Sequence, residues 1–197
     1  MTRWPCSFHG RHACGQVKLV HHFRGRNPWQ PLLVPGLLQT EDYARAVLRG
    51  IPGATEEEIE QLVQARMERQ KILTRSNPPT FWVVLDEGVL HRPIGGREVL
   101  RLELEHLIRA VDSRRVSIQV VPLSLGVATG LLGGFMIAQL ASGGDIVYLE
   151  SPNGHAQVTN RVEDVKEIKF RYDSIRVEAN PAHVSVAMIR EAVQAWT

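Results

Sequence analysis

The charged residues that follow one apolar segment are the first candidates for chemistry in this sequence. Residues 81–85 (FWVVL) form a short continuous apolar run, which is typical of a strand covered on both faces. Glu87, His91 and Arg92 follow it directly. Ligands of α/β sheets bind beyond the carboxyl ends of strands, where loops diverge from a rigid floor. We therefore predict that these three side chains line a ligand pocket.

Glu150 follows a second apolar run, residues 146–149, and is expected beside Glu87 if the two strands are neighbours. Arg66 and Arg69 lie three residues apart on a predicted helix, near its apolar face. A buried arginine needs a carboxylate partner, so one interpretation is a structural salt-bridge network that joins these arginines to the glutamates. The other interpretation is a polar pocket that orients a small ligand. Glu87 and Glu150 would perform acid–base chemistry there if burial raised their pKa values.

A group of zinc-type ligands lies near the start of the chain, at Cys6, His9, His12 and Cys14. Structural zinc sites usually separate two ligand pairs by a longer folded stretch, which this group lacks. It is therefore a weak metal candidate, and a leader rich in histidine and cysteine is the favoured interpretation.

Cofactor motifs are missing from the sequence. The glycines at 95–96 have neither the spacing of a dinucleotide-binding loop nor the Lys-Ser/Thr pair of a phosphate-binding loop. The serines show no nucleophile-elbow pattern. We expect no cofactor.

Composition places the chain among ordinary globular proteins. Its 197 residues are 44% hydrophobic and 22% charged, and the formal net charge is +2. No apolar run approaches the roughly 20 residues of a membrane span, and the first ten residues lack the core of a secretory signal. Two cysteines do not form a disulfide framework, so we expect a cytoplasmic location.

Hydrophobic periodicity predicts the elements that must position these residues. Residues 1–28 show no sustained period and are expected to be an irregular basic leader, a solvated terminus more than a nucleic-acid arm. Residues 29–197 are expected to form one α/β domain that begins with a two-helix segment. Its short, mostly parallel or mixed sheet of about four strands is flanked by helices. The predicted helices are 41–49, 56–74, 97–112, 161–177 and one starting at Asn180-Pro181; the predicted strands are 81–85, 116–121, 135–140 and 146–149.

The glycine-rich connection at residues 126–134 contains two leucines, Leu131 and Leu132. It suits a mobile flap, a subunit contact or a simple loop. A homodimer is expected to use these leucines and the last helix, with Met188 and Trp196 exposed in the monomer.

Three segments together resemble one known family: LLVPGLLQTEDYARAVLR (32–49), LDEGVLHRPIGG (85–96) and VVPLSLG (120–126). The chain is similar, over roughly residues 29–196, to the C-terminal domain of unknown function in actinobacterial XRE-type helix-turn-helix regulators of the WhiJ type. That resemblance implies a sensor or protein-docking domain, often encoded beside a small acidic partner protein. The ligand-binding candidates that match or adjoin this pattern are Gln39, Arg66, Arg69, Glu87, His91, Arg92 and Glu150.

The sequence departs from the family pattern in three places. Only about thirty residues precede the domain, where a DNA-binding domain is usual, so we expect no direct DNA binding. His91 stands where arginine is more frequent, and residues 156–160 replace an apolar segment that contains glutamate. The leading hypothesis is a stand-alone regulatory domain that binds a small molecule or a partner protein. The alternative is a cofactor-independent cyclase, isomerase or hydrolase of secondary metabolism that uses Glu87 and Glu150.

Overall fold

One mixed sheet of six strands organises the fold in the computed structural model, which describes residues 23–114, 116–126, 129–150 and 157–197. The strands are β1 (Phe23–Gln30), β2 (Thr80–Asp86), β3 (Val116–Val121), β4 (Phe135–Leu140), β5 (Asp145–Leu149) and β6 (Gln157–Thr159). The helices are α1 (Glu41–Leu48), α2 (Glu56–Gln70), α3 (Gly88–His91), α4 (Arg97–Asp112), α5 (Val162–Glu178) and α6 (Ala182–Trp196). A 3₁₀ turn, Lys71–Leu73, extends α2, and another, Leu123–Leu125, follows β3. The α/β class and the flanking helices are as predicted.

The strand order is β3-β2-β1-β4-β5-β6, and β1 lies between a parallel half and an antiparallel half of the sheet. β1, β2 and β3 are parallel. β4 pairs antiparallel with β1, and β5 with β4. The ends of β1, β2, β3 and β5 and the start of β4 therefore share one side of the sheet, which we call the carboxyl edge.

Successive side chains of a strand point to opposite faces of the sheet, and a hydrophobic core lies on each face. The first face lies under α4 and α6, and its buried residues include Phe81, Val83, Leu85, Ile118, Val120, Leu100, Leu104, Leu107 and Ile189. The second face lies under α5 and buries Trp29, Val84, Phe135, Ile137, Val147, Ile168, Tyr172 and Ile175. β2 is covered on both faces at residues 83–85, which explains the continuous apolar character of that part of the run, whereas Trp82 near its start is 47% exposed.

Capping residues fix where the first two helices begin. The Thr40 side chain accepts a hydrogen bond from the Tyr43 amide at the start of α1. At the start of α2, Thr55 and Glu58 form the capping box that their spacing predicts. Acidic residues in both first turns interact favourably with the positive end of the helix dipole: Glu41 and Asp42 in α1, and Glu56, Glu57 and Glu58 in α2.

Two strands escaped the sequence prediction. β1 begins at Phe23, inside the segment 1–28 that was expected to be irregular, so that expectation is wrong for residues 23–28. Its segment FRGRNPWQ does not alternate between apolar and polar residues, because the charged residue Arg26 occupies a buried position. β6 is a three-residue edge strand, too short to give a period.

The end of α6 corrects the expected exposure of Trp196 and Met188. The Trp196 indole is half-buried, donates from Nε1 to the carbonyl of Leu90 at 3.0 Å, and lies 5.5 Å from the Arg97 guanidinium carbon. Met188 is half-buried against the first-face core. Both side chains therefore pack against the first-face core within the monomer, unlike Leu131 and Leu132, which are exposed.

Two absences hold for the described part of the chain. None of its helices has both the length and the apolar character of a bilayer span. Across the same ranges, histidine, cysteine, aspartate and glutamate side chains form no group of three suited to a metal ion. Cys6, His9, His12 and Cys14 lie outside the described residues.

Candidate functional site

The antiparallel half of the first sheet face forms the floor of the candidate site. Arg26 of β1 pairs across the sheet with Ala138 of β4, and Met136 of β4 pairs with Tyr148 of β5. Directly opposed residues point to the same face, so Arg26 and Tyr148 share this face with the first core. Arg26 is buried, with 5% of its surface exposed. A charged side chain therefore occupies the first face where β2 and β3 carry only apolar ones.

Helix α2 supplies the roof. Its first half presents Ile59 and Val63 to a small apolar cluster with α1. Three and six residues beyond Val63, the same stripe carries Arg66 and Arg69, both partly buried. The change from apolar to basic within one stripe is what brings two guanidinium groups toward the sheet.

The loop between β1 and α1 forms one wall and is fastened to α2. Gln39 donates from Nε2 to the carbonyl of Val34 at 2.7 Å and accepts from Arg66 Nη1 at 2.6 Å. Gln70 donates to the carbonyl oxygens of Gly36 and Gln39 at 3.0 and 2.6 Å. These hydrogen bonds fix the plane of the Arg66 guanidinium. They also explain why the segment VPGLLQT has a polar residue, Gln39, at a buried position.

Arg69 acts electrostatically on both Arg26 and Arg66, and we call these three residues the arginine cluster. Burial, together with a smaller contribution from the nearby positive charge of Arg69, lowers the pKa of Arg66 to about 10. Burial also lowers the pKa of Arg26 to about 10, with additional contributions from Arg69 and Arg75. The pKa of Arg69 is lowered by the same loss of solvation. All three remain charged at neutral pH, so the site concentrates positive charge in a partly dry environment.

Glu150 lies at the carboxyl edge, next to this cluster. Its Oε1 accepts from Gln30 Nε2 at 2.7 Å, and its negative charge acts on Arg66. Gly134 is packed against it, since a Cβ at that position would lie 2.5 Å from Glu150 Oε2. Gln39, Arg66, Arg69 and Glu150 thus lie in one region of the structure.

Glu87, His91 and Arg92 lie elsewhere on the edge. Glu87 Oε2 accepts from the Leu123 amide at 2.7 Å, and its Oε1 lies 3.5 Å from His91 Nε2. Glu87 and His91 line a cavity of about 220 Å³ together with Leu90, Met188, Glu191, Ala192 and Ala195. Arg92 is exposed just after α3. These residues form a separate, shallow site between α3 and α6.

The expected proximity of Glu87 and Glu150 is wrong. β2 and β5 are separated by β1 and β4, so three strand spacings, about 14 Å, lie between their ends. Arg66 is in none of the ion pairs found among the described residues, and neither glutamate neutralises it directly. A salt-bridge network from Arg66 to these glutamates is therefore not what holds this region together.

Sequence reasoning missed three members of the site: Arg26, Gln30 and Tyr148. Arg26 and Gln30 belong to the strand that lacked an apolar period. Their spacing of four, with Pro28 between them, is nevertheless that of one strand face. Recognition of β1 as a strand would have placed both side chains on one face of the sheet, with Gln30 beside Glu150.

Comparison with known proteins gives one match. The family described as a domain of unknown function, DUF5753, matches residues 26–191, and the chain belongs to this family. The matched range begins at Arg26 and includes the whole arginine cluster. No curated protein and no solved structure matches the chain.

Proposed function

We propose that this DUF5753 member is a cytoplasmic sensor domain of the kind found in actinobacterial XRE-type helix-turn-helix regulators. It binds a small molecule or a partner protein and does not itself read DNA. One observation carries the proposal: the buried Nε of Arg66 has no hydrogen-bond partner within the described residues, although Gln39 holds the guanidinium in place. Buried polar groups are normally paired, so an oriented and incompletely paired one favours a ligand.

The distribution of basic side chains supports the absence of DNA binding. Nucleic-acid affinity depends on lysines and arginines that are presented to phosphates. Here Arg45, Arg49 and Arg101 each pair with neighbouring carboxylates. In the arginine cluster, Arg26 is buried and Arg66 and Arg69 are partly buried. We expect gel shifts with the full chain to show no sequence-specific complex. A tight complex that resists salt contradicts this part of the proposal.

Exposed leucines at the carboxyl edge support a contact with a partner or with a second copy of the chain. These are Leu32 after β1, Leu123 and Leu125 after β3, and Leu131 and Leu132 before β4. Leu132 is 92% exposed. Apolar side chains grouped on one edge are characteristic of protein contact sites. A homodimer or the small acidic partner that the family resemblance implies would cover them.

Hydrogen exchange provides the test of the sensor role. The chain is mixed in turn with pools of cellular metabolites and with the acidic partner protein. We expect a binder to slow exchange in α2 and in loop 31–40, because Gln39 and Gln70 couple the loop to the helix. If neither the pools nor the protein changes exchange anywhere in the chain, the sensor role is lost.

The enzymatic alternative has less support. Glu87 and Glu150 lie too far apart to act as an acid–base pair on one small substrate, and each already accepts a hydrogen bond. Turnover that survives in both Glu87→Gln and Glu150→Gln would remove them as catalytic residues.

A further inference from the structure

We propose that the arginine cluster binds a small anion that carries carboxylate or phosphate groups, with Arg66 as its principal contact. This inference rests on the proposed sensor function and specifies the ligand class. It follows from three independent features: the donors that Arg66 offers, the balance of charge, and the way the surrounding residues hold the site.

Arg66 offers donors with a fixed direction. Its guanidinium carries five N–H groups in one plane, which match the two oxygens of a carboxylate or phosphate. Nη1 is used by Gln39 at 2.6 Å, whereas Nε is buried and meets no acceptor in the described part of the chain. None of the ion pairs found there includes Arg66. An anion oxygen at Nε would complete its bonding.

The balance of charge favours an anion over a neutral or cationic ligand. Three arginines converge on the site, and Glu150 is the carboxylate whose charge acts on Arg66. Arg26 and Arg69 have interactions of their own. The sequence has no aspartate or glutamate at positions 1–22, 115, 127–128 or 151–156, so the residues that the structure does not describe cannot supply a carboxylate side chain. The local excess is thus positive, and an excess of one buried charge is costly until a counter-charge binds.

Neutral polar side chains complete a site suited to one small molecule. Gln39 and Gln70 hold the wall against α2, and Gln30 holds Glu150 to one side. Tyr148 adds an aromatic side chain on the floor of the site, and it interacts electrostatically with both Arg66 and Arg69. The cluster lies between helix α2 and the sheet, so we expect its ligand to be a small metabolite and not an extended polyanion.

The test uses the full chain and two probes, inorganic phosphate and citrate, in thermal denaturation against sodium chloride at equal ionic strength. We expect both anions at millimolar concentration to raise the unfolding midpoint by about 3 °C beyond the salt control. Arg66→Gln is expected to weaken phosphate binding by about tenfold or more, because it removes a charge-assisted contact. Arg190→Gln, at an exposed position on α6, is the matched control and leaves the response unchanged.

Two further variants keep the test decisive. Arg66→Lys retains the positive charge, so it replaces Arg66→Gln in the binding measurement if the glutamine variant does not fold. It is expected to weaken phosphate binding less than Arg66→Gln does. Glu150→Gln removes the opposing charge while keeping an acceptor for Gln30, so it should strengthen phosphate binding by roughly threefold. A structural role for Arg66 predicts no such gain from the Glu150 variant.

The outcomes separate this inference from the sensor role. If neither anion stabilises the chain beyond sodium chloride, or if Arg66→Gln and Arg66→Lys keep the full response, the anion site is wrong. In either case, a neutral or cationic compound that slows exchange in α2 would leave the sensor role standing. Absence of any binder removes both.

Discussion

Glu103 of α4 and Thr40 at the start of α1 form a hydrogen-bonded pair. The Thr40 amide and hydroxyl both donate to Glu103 Oε2, at 2.6 and 2.8 Å, while Glu103 has no exposed surface. Its second oxygen, Oε1, meets no hydrogen-bond donor in the described residues. The pair ties the helix that covers the first core to the loop that holds Arg66 through Gln39.

Stability should depend on pH through Glu103. Burial raises the pKa of this carboxyl from 4.5 to about 7, a net value in which the hydrogen bonds from Thr40 offset part of the effect of burial. Between these values the unfolded chain has lost the proton that the folded chain keeps, so stability falls as pH rises from about 4.5 to about 7. The full loss is about 3 kcal/mol. Urea denaturation of Glu103→Gln across this range should show a flatter profile than the parent chain. An unchanged profile would assign the pH dependence to other groups.

The two helix caps should differ in what they contribute. Thr40→Ala removes the cap of α1 and one of the two bonds to Glu103, so we expect a loss of about 2 kcal/mol in the free energy of unfolding. Thr55→Ala removes an exposed cap whose partner Glu58 remains in water, and about 1 kcal/mol is expected. Chemical denaturation of both variants measures the difference. Equal losses would mean that the buried bond adds nothing.

Gly130 should not tolerate a side chain. Its φ is +91°, and a Cβ would lie 2.6 Å from both Trp29 Nε1 and Ile175 Cδ1. Trp29 also donates to the Gly130 carbonyl at 2.8 Å, so this part of the glycine-rich connection is anchored to the second core. Gly130→Ala should cost about 3 kcal/mol or more and change the tryptophan fluorescence. Gly143→Ala has a similar φ of +92° in open space, and only about 1 kcal/mol is expected. If the two variants unfold at the same denaturant concentration, the close packing at Gly130 is not what matters.

Replacing an exposed leucine should affect association without affecting the fold. Leu132→Asp places a charge on the edge patch, so a homodimer that uses this patch should become a monomer in sedimentation at micromolar concentration. The thermal midpoint of the monomer should stay within about 2 °C, since surface changes are small in energy. Leu102→Asp, at an exposed position on α4, is the control and should leave the assembly as it was. A parent chain that is monomeric at these concentrations contradicts the dimer.

Much of the fold was predictable because its signals are local. Helix α4 and strands β3 and β4 have the predicted bounds, since their apolar periods run cleanly from end to end. The site was predictable in part: Arg66 and Glu150 lie together, because the end of a strand and a helix stripe are visible in sequence. Arg26 was not found, because its burial depends on strands that follow more than fifty residues later. Glu103 was not found either, because a glutamate within a helix gives no sign that its partner is a loop on another element.

The position of β1 at the middle of the sheet has a consequence for synthesis on the ribosome. Arg26 of β1 pairs with Phe81 of β2 on one side and with Ala138 of β4 on the other. β1 is therefore synthesised early, but its second neighbour, β4, is synthesised late. A nascent chain that ends before β4 therefore leaves one side of β1 without its backbone partners, and such open strands recruit other chains. Fragments that stop short of β4 should consequently depend on chaperones for their solubility more than the complete domain does.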